Sequence, residues 1–272
     1  MRALTQLLHF GYQQALACAF PVAIFGALAF TQVVSLPFLP RYDWLLLFCI
    51  AVQVVMVYTG RETKDELKVV MMFHIIGLTL EIFKVHMGSW AYPEEAYTKV
   101  LGVPLYSGFM YASVASYLCQ AWRRMGVQLI DWPPLYMVVM LAVMIYSNFF
   151  THHFWWDVRW VLIGAVLLIF LKSVVFYEVI GTRYNMPVPL AFALIGFFIW
   201  IAENIATYFG AWQYPNQVDA WSLVHLGKVS SWFLLVIVSF FIVAALKQVK
   251  EEEVTTSFPL PDMKMRSNKS ID

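Results

Sequence analysis

Charged residues are scarce in this sequence. Of 272 residues only 13% are charged, 61% are hydrophobic, and the formal net charge is +1. Soluble domains carry about 25% charged residues, so the composition excludes an ordinary soluble protein. The near-zero net charge also leaves no basic surface to neutralise phosphates, which excludes a nucleic-acid partner.

Motifs for well-known chemistries are also missing. The three cysteines, Cys18, Cys49 and Cys119, lie within apolar runs and form no disulfide framework or metal-ligand spacing. The sequence contains no P-loop, GxSxG, HExxH or CxxC arrangement. We therefore expect no metal and no cofactor.

Long apolar runs dominate what is present. A membrane-crossing helix needs roughly 20 mostly apolar residues, and Pro37, Pro40 and Pro133-Pro134 separate several of the runs. The sequence predicts an all-α, polytopic transmembrane helix bundle of about eight spans, at 12–34, 43–59, 66–87, 103–122, 134–150, 159–179, 189–210 and 221–246.

The loops between these runs differ in charge. One side carries most of the Lys and Arg residues, including Arg61, Lys64, Arg123 and Arg183. Basic loops face the cytoplasm, so both termini are predicted to be cytoplasmic in a bacterial inner (plasma) membrane. Residues 1–246 form the predicted transmembrane bundle, and residues 247–272 form a polar cytoplasmic tail.

Two stretches share one pattern, E-x6-G-x-W-x-Y-P. The first runs from Glu81 to Pro93 and the second from Glu203 to Pro215, a shift of 122 positions. We call each G-x-W-x-Y-P segment, 88–93 and 210–215, a corner. Five matched residue types at fixed spacing indicate an internal repeat.

The repeat predicts two four-helix halves, about 12–122 and 134–246. Four spans return the chain to the same side of the membrane, so the halves are expected to be parallel rather than inverted. Gly60 and Gly181 fall at similar positions, each predicted to end a span. The interface between the halves is the predicted location of a site.

Polar residues within the spans carry the functional signal. In the third span His74, Gly77, Glu81, Lys84 and Gly88 recur at spacings of three and four, which places them on one helical stripe. The structural interpretation is a tight packing seam in which glycines admit a neighbouring helix. The functional interpretation is a site, because intramembrane charges are costly and face the bundle interior.

The functional interpretation predicts a layer of acids, amines and imidazoles between the halves. It takes Glu81, Glu203 and Lys228 as catalytic residues. Whether these acids are paired with lysines or protonated is left open by the sequence. The residues predicted to bind substrate are His74, Lys84, Trp90, Tyr92, Asn204, Trp212, Tyr214 and His225.

Two further groups of polar residues are less specific indicators of function. Lys172 falls near the middle of the predicted sixth span, where it is expected to bond an interior acid or carbonyl. His152 and His153 are adjacent and point to different helix faces, which makes them a poor chelate. They are interpreted as interfacial histidines, with a metal as the minor alternative.

The span array with its two corners resembles the YoaT-like family of bacterial integral membrane proteins, which carries no assigned function. Locally, Glu81, Gly88-Ser89-Trp90-Ala91-Tyr92 and Gly102-Val103-Pro104-Leu105 resemble the signature of membrane carotenoid hydratases and lycopene cyclases. That resemblance implies that Glu81 protonates a polyene and that Val103-Pro104-Leu105 shapes the start of the next helix. The second half departs from this pattern, because no G-V-P-L follows Pro215.

Three functions follow from these residues. The first is an intramembrane enzyme that acts by acid catalysis on an isoprenoid or other lipid-soluble substrate, in the manner of a hydratase or cyclase. The second is a proton-coupled transporter of a small solute, and the third is a non-catalytic membrane scaffold. The expected partners are the lipid bilayer and a lipid-soluble or small-molecule substrate.

Overall fold

The computed structural model describes residues 2–257, with side chains over 3–246, and this part of the chain is mostly helical. The helices are α1 Arg2–Ala17, α2 Ala19–Val33, α3 Arg41–Tyr58, α4 Lys64–His86, α5 Tyr106–Met125, α6 Leu135–Thr151, α7 Arg159–Ile169, α8 Val188–Tyr208 and α9 Lys228–Ser257. The strands are β1 Lys99–Val100, β2 Val103–Pro104, β3 Gln128–Ile130, β4 Val174–Val179 and β5 Thr182–Pro187.

Several of these helices can cross a membrane. By length and composition, α3, α4, α8 and α9 qualify among the described residues. A fifth span results if α1 and α2, bent by 68° at their junction, are counted together. The prediction of a multi-span helical protein is therefore confirmed at this coarser level, whereas α6 and α7 have only 17 and 11 residues.

The predicted sixth span, 159–179, is wrong in its second half. Helix α7 ends at Ile169, and the chain then forms the antiparallel β4–β5 hairpin, with β3 paired to β4. The run Val174-Val175-Phe176-Tyr177 is β-branched and aromatic, so it suits a strand as well as an apolar helix. The chain is mostly helical and not purely all-α.

Two residues therefore lie in positions that differ from their predicted ones. Lys172 lies exposed in the turn between α7 and β4, so it is not a buried intramembrane lysine. Gly181, with φ of +68°, lies in the β4–β5 turn and does not end a helix as Gly60 does. The predicted correspondence between the two glycines is therefore wrong.

Glycines allow close packing at two helix pairs, and the first pair contains the stripe predicted for the third span. Helix α4 packs chiefly against α5, and α8 against α9. A Cβ on Gly77 would lie 2.4 Å from the Tyr111 ring, and one on Gly196 would lie 2.8 Å from the Phe233 backbone nitrogen. Both helix pairs therefore depend on glycine for their close approach.

The two corners end α4 and α8 in the same way. Gly88 and Gly210 have φ of +67° and +68°, the left-handed conformation in which a helix ends most easily at glycine. Beyond them, Ala91 and Gln213 exchange two backbone hydrogen bonds of 2.9 Å. These two residues are 122 positions apart, so matching positions of the two corners pair directly with each other.

The ends of the chain complete the fold. Helix α9 begins at Lys228 and continues to Ser257, so the first residues of the predicted tail are helical. The rest of that predicted tail, 258–272, lies outside the described residues.

The G-V-P-L segment, 102–105, is part of a tight hairpin between β1 and β2. Leu101 and Gly102 have φ of +51° and +83° in its turn, and Leu105 directly precedes α5.

Candidate functional site

A cavity of about 960 Å³ lies between the helix pairs. Its walls are mainly apolar and extend from the corners to Leu7 and Phe10 of α1. Val22 and Phe198 line it and are also 58% and 64% exposed on the apolar surface, so the cavity opens sideways between α2 and α8. A cavity of this size and character suits a lipid-soluble ligand.

The charged residues of the cavity are grouped at its corner end. Both repeated glutamates line it, together with basic residues of α4, α7 and α9 and the imidazole that directly follows α6: Glu81, Glu203, Lys84, Arg159, Lys228 and His152. The two glutamates therefore line one cavity, and their predicted catalytic role stays a prediction.

Glu81 is held by three donors. Trp90 Nε1 and Tyr92 Oη donate to its Oε2 at 2.7 and 2.8 Å, and Tyr111 Oη donates to Oε1 at 2.7 Å. Its side chain is only 5% exposed. Since an indole N–H can only donate, Oε2 of Glu81 must act as an acceptor in this arrangement.

Glu203 has a similar but less complete set. Tyr214 Oη donates to its Oε1 at 2.5 Å and Trp232 Nε1 donates to Oε2 at 2.7 Å. A carboxylate offers about four acceptor positions, so each oxygen of Glu203 keeps one free position. Glu203 therefore has more room than Glu81 to carry a proton.

Lys228 lies between the two carboxylate groups. Its Nζ lies 5.0 Å from the Trp90 ring centre and 4.7 Å from that of Tyr214. Trp90 donates a hydrogen bond to Glu81 and Tyr214 donates one to Glu203. The two rings pack edge to face, with their centres 5.8 Å apart. In the described part of the chain no carboxylate lies within 4.0 Å of Lys228, and its ammonium contacts two aromatic faces.

Lys84 continues the layer toward the α6–α7 loop. Its Nζ is 3.2 Å from His152 Nε2 and 2.8 Å from His153 Nε2. Burial, followed by the charge of Lys84, lowers the pKa of His153 to about 4. His153 is therefore neutral at pH 7 and can accept a hydrogen bond from the Lys84 ammonium.

Arg159 is the third cation of the cavity, and it is paired. Its Nε donates to Asp157 Oδ2 at 2.6 Å, and its Nη1 reaches the hydroxyl of Ser231 at 3.2 Å. Asn148 in turn donates to Asp157 Oδ1 at 3.1 Å. Burial acts to raise the pKa of Asp157, but the hydrogen bonds from Asn148 and Arg159 and the Arg159 charge hold it below its usual range.

Three predicted substrate-binding residues lie elsewhere. His74 packs against Phe109 at the α4–α5 interface, with ring centres 4.5 Å apart, and does not line the cavity. His225 is exposed in the loop before α9, because that helix starts later than predicted. Asn204 accepts from the Val224 backbone nitrogen at 2.9 Å and ties α8 to this loop, which is a structural role.

The remaining predicted aromatics lie in or beside the layer. Trp90, Trp212 and Tyr214 line the cavity, and Tyr92 is buried against Glu81. In the described part of the chain, Glu203 accepts from Tyr214 and Trp232 and not from the Trp212 indole nitrogen. The two corners therefore differ, since Trp90 donates to its glutamate and Trp212 does not.

Sequence reasoning missed Tyr111 and Trp232, which donate to the two glutamates from α5 and α9. Trp232 lies four residues after Lys228, so helical periodicity places it on the same face and could have identified it. Tyr111 has no comparable signal. The described residues contain no group of three or more His, Cys, Asp or Glu side chains that could hold a metal ion.

These features define a class: a multi-helix protein with a sideways-opening apolar cavity that carries acids and amines at one end. Residues 6–240 match the family described as "Protein of unknown function (DUF817)". The chain belongs to this family, as the resemblance to YoaT-like proteins predicted.

Two individual proteins are similar. The "Uncharacterized protein YoaT" of Bacillus subtilis (strain 168) is 68% identical over 255 residues, which cover 94% of this chain and 97% of that protein. A crystal structure of a cross-linked MvINS trimer is 11% identical with a TM-score of 0.49 and covers 68% of this chain and 95% of its own.

Proposed function

We propose that this chain is a multi-pass inner-membrane protein that binds a lipid-soluble molecule in the cavity and acts on it by proton transfer. The observation that supports this most directly is the placement of Glu81 and Glu203 at one end of an apolar cavity that opens at the apolar surface. A ligand could enter from lipid and present its polar end to the layer. A site closed to water also strengthens electrostatic interactions within it.

Glu203 is the better candidate for the proton donor. It keeps a free acceptor position on each oxygen, whereas Glu81 is engaged by three donors. Glu81 then positions Trp90 and Tyr92. This assignment differs from the one implied by the resemblance to carotenoid hydratases, in which Glu81 is the acid.

The aromatic rings favour proton transfer without a free carbocation. The faces of Trp90 and Tyr214 could stabilise such a cation, but they already hold the Lys228 ammonium. A substrate with a polarisable oxygen at its polar end fits this layer better than a bare polyene.

The test is a comparison of membrane lipids. We expect cells that express the wild-type chain to differ from cells without it in at least one lipid-soluble compound, measured by mass spectrometry of lipid extracts. Glu203→Gln should abolish this difference, because an amide cannot donate the proton. Glu95→Gln, which changes an exposed acid, is the matched control. An unchanged difference in correctly inserted Glu203→Gln protein would contradict the proposed acid.

A proton-coupled transporter is the second candidate. Lys84, His152 and His153 form a polar connection from the layer toward the α6–α7 loop, which could conduct protons. The apolar walls of the cavity weigh against a water-soluble solute. Solute uptake that depends on pH and is lost in Glu203→Gln, with lipid extracts unchanged, would favour this candidate.

We further propose that the bundle is a duplication of a four-helix unit, α2–α5 and α6–α9. Helix α5 begins at Tyr106 and α9 at Lys228, 122 positions apart, as are the bridged residues Ala91 and Gln213. Corresponding helix pairs also pack in both halves: α2 on α3 and α6 on α7, α4 on α5 and α8 on α9. Parallel halves related by an axis along the membrane normal would produce this pattern.

The proposed orientation has both corners outside and the β4–β5 hairpin inside. Arg123 donates to the backbone carbonyl of Arg61, so two of the basic segments lie at one end of the bundle, as the positive-inside rule requires. In a chain lacking its native cysteines, Tyr97→Cys should react with a membrane-impermeant maleimide in intact cells. Arg183→Cys should react only after lysis. Both positions are exposed, so the reverse pattern would overturn the orientation.

A further inference from the structure

Two ammonium groups in the cavity have no ion-pair partner among the residues that the structure describes. In the described part of the chain, neither Lys84 nor Lys228 has a carboxylate oxygen within 4.0 Å. Lys84 contacts two imidazoles and Lys228 contacts two aromatic rings. Lys84 is only 6% exposed, although it lines the cavity.

The acids of the layer do not fill this role. Glu81 and Glu203 attract Lys228 from beyond ion-pair distance, but their oxygens accept from Trp and Tyr donors instead. Arg159 is already paired with Asp157. The charges of Lys84 and Lys228 are close enough to repel each other. Buried charges are also costly unless they are paired. An anion between the two ammonium groups would reduce both the repulsion and the cost of burial.

We propose that the natural ligand is an amphipathic lipid with an anionic oxygen headgroup, a carboxylate or a phosphate, bound between Lys84 and Lys228. This inference rests on the proposed function, since it uses the same cavity. The apolar walls that run toward Leu7 and Phe10 would hold the acyl or isoprenoid tail. The headgroup would lie beside Glu203, within reach of a proton-transfer step.

A pair of ligands that differ only in head charge tests the proposal. Purified full-length protein in detergent is stripped of lipid and titrated with radiolabelled oleate or methyl oleate. We expect oleate to bind at least tenfold more tightly than the ester. Lys228→Met and Lys84→Met should each weaken oleate binding roughly tenfold to hundredfold, the range for a lost hydrogen bond to a charged group. Binding of methyl oleate should not change.

Matched variants distinguish the loss of the lysine charge from a loss of folded protein. Lys228→Arg should retain most of the preference for oleate, and Lys172→Met, an exposed lysine outside the cavity, should behave as wild type. Size-exclusion profiles of each variant establish that it is folded.

Three results would overturn the inference. Equal binding of oleate and its ester, unaffected by the lysine variants, would leave a lipid-binding cavity without an anion site. Inorganic phosphate that displaces oleate at similar concentrations would show a site for a free anion rather than a lipid. Binding of neither oleate nor the ester by folded protein would contradict the proposed function as well.

Discussion

Replacing Glu81 with leucine is expected to destabilise the protein by about 3–5 kcal/mol, the range seen when one partner of a buried polar or ionic network is removed. Three donors, one from buried Tyr92 and two from half-buried Trp90 and Tyr111, would lose their acceptor. Each unsatisfied donor costs roughly 1–3 kcal/mol. The loss should appear as a large decrease in Tm of the detergent-solubilised protein, measured by fluorescence-detected size exclusion.

Two controls distinguish the donor network from a general effect of removing an acid. Glu95→Leu changes an exposed glutamate in the loop after the first corner and should shift Tm only slightly. Combining Glu81→Leu with Tyr111→Phe should cost less than the sum of the single changes, because the second change removes one of the orphaned donors. A Glu81→Leu protein as stable as wild type would show that the network adds nothing to stability.

Gly196→Val is expected to disrupt the contact between α8 and α9. Any Cβ at this position would lie 2.8 Å from the Phe233 backbone nitrogen and 3.1 Å from its Cα, so the two helices must separate. Overpacking typically costs about 1–3 kcal/mol and more where backbone must move. Thermal melts of the purified protein should show this loss, together with weaker ligand binding, because Glu203 and Trp232 lie on the same two helices.

The matched control is Gly164→Val in α7. A Cβ there would meet no heavy atom within 4 Å, so only the smaller cost of a β-branched residue in a helix remains. Equal losses in the two variants would mean that the α8–α9 contact tolerates separation and that the seam is not tightly packed.

Much of the candidate site could be predicted from local patterns. The repeated spacing in the corners identified Glu81 and Glu203 as equivalent, and the spacing of three and four in α4 placed Lys84 near Glu81. These patterns succeed because helical geometry fixes which residues share a face. Lys228 was predicted as a catalytic residue of the same layer, but its contact with Trp90 and Tyr214 could not be predicted, because it depends on how the corners fold over it.

The errors have equally specific causes. A run of apolar residues fits both a membrane helix and a buried hairpin, which is why 170–179 was assigned to a span. His225 was placed on α9 because Trp221 and Leu223 extend the apolar pattern, although the helix begins only at Lys228. The contact of Lys84 with His152 and His153 joins residues 68 and 69 positions apart, and no local pattern predicts it.

The bridge between Ala91 and Gln213 has a consequence for how this family can vary. It consists of backbone hydrogen bonds alone, so it does not depend on which side chains stand at the two positions. In the proposed duplication, a joint of that kind would leave each half free to accumulate its own substitutions while the halves stay in register. Tyr106 and Lys228, which that duplication places at matching helix starts, have different roles: one donates to the carbonyl of Ala211, and the other presents an ammonium to the cavity.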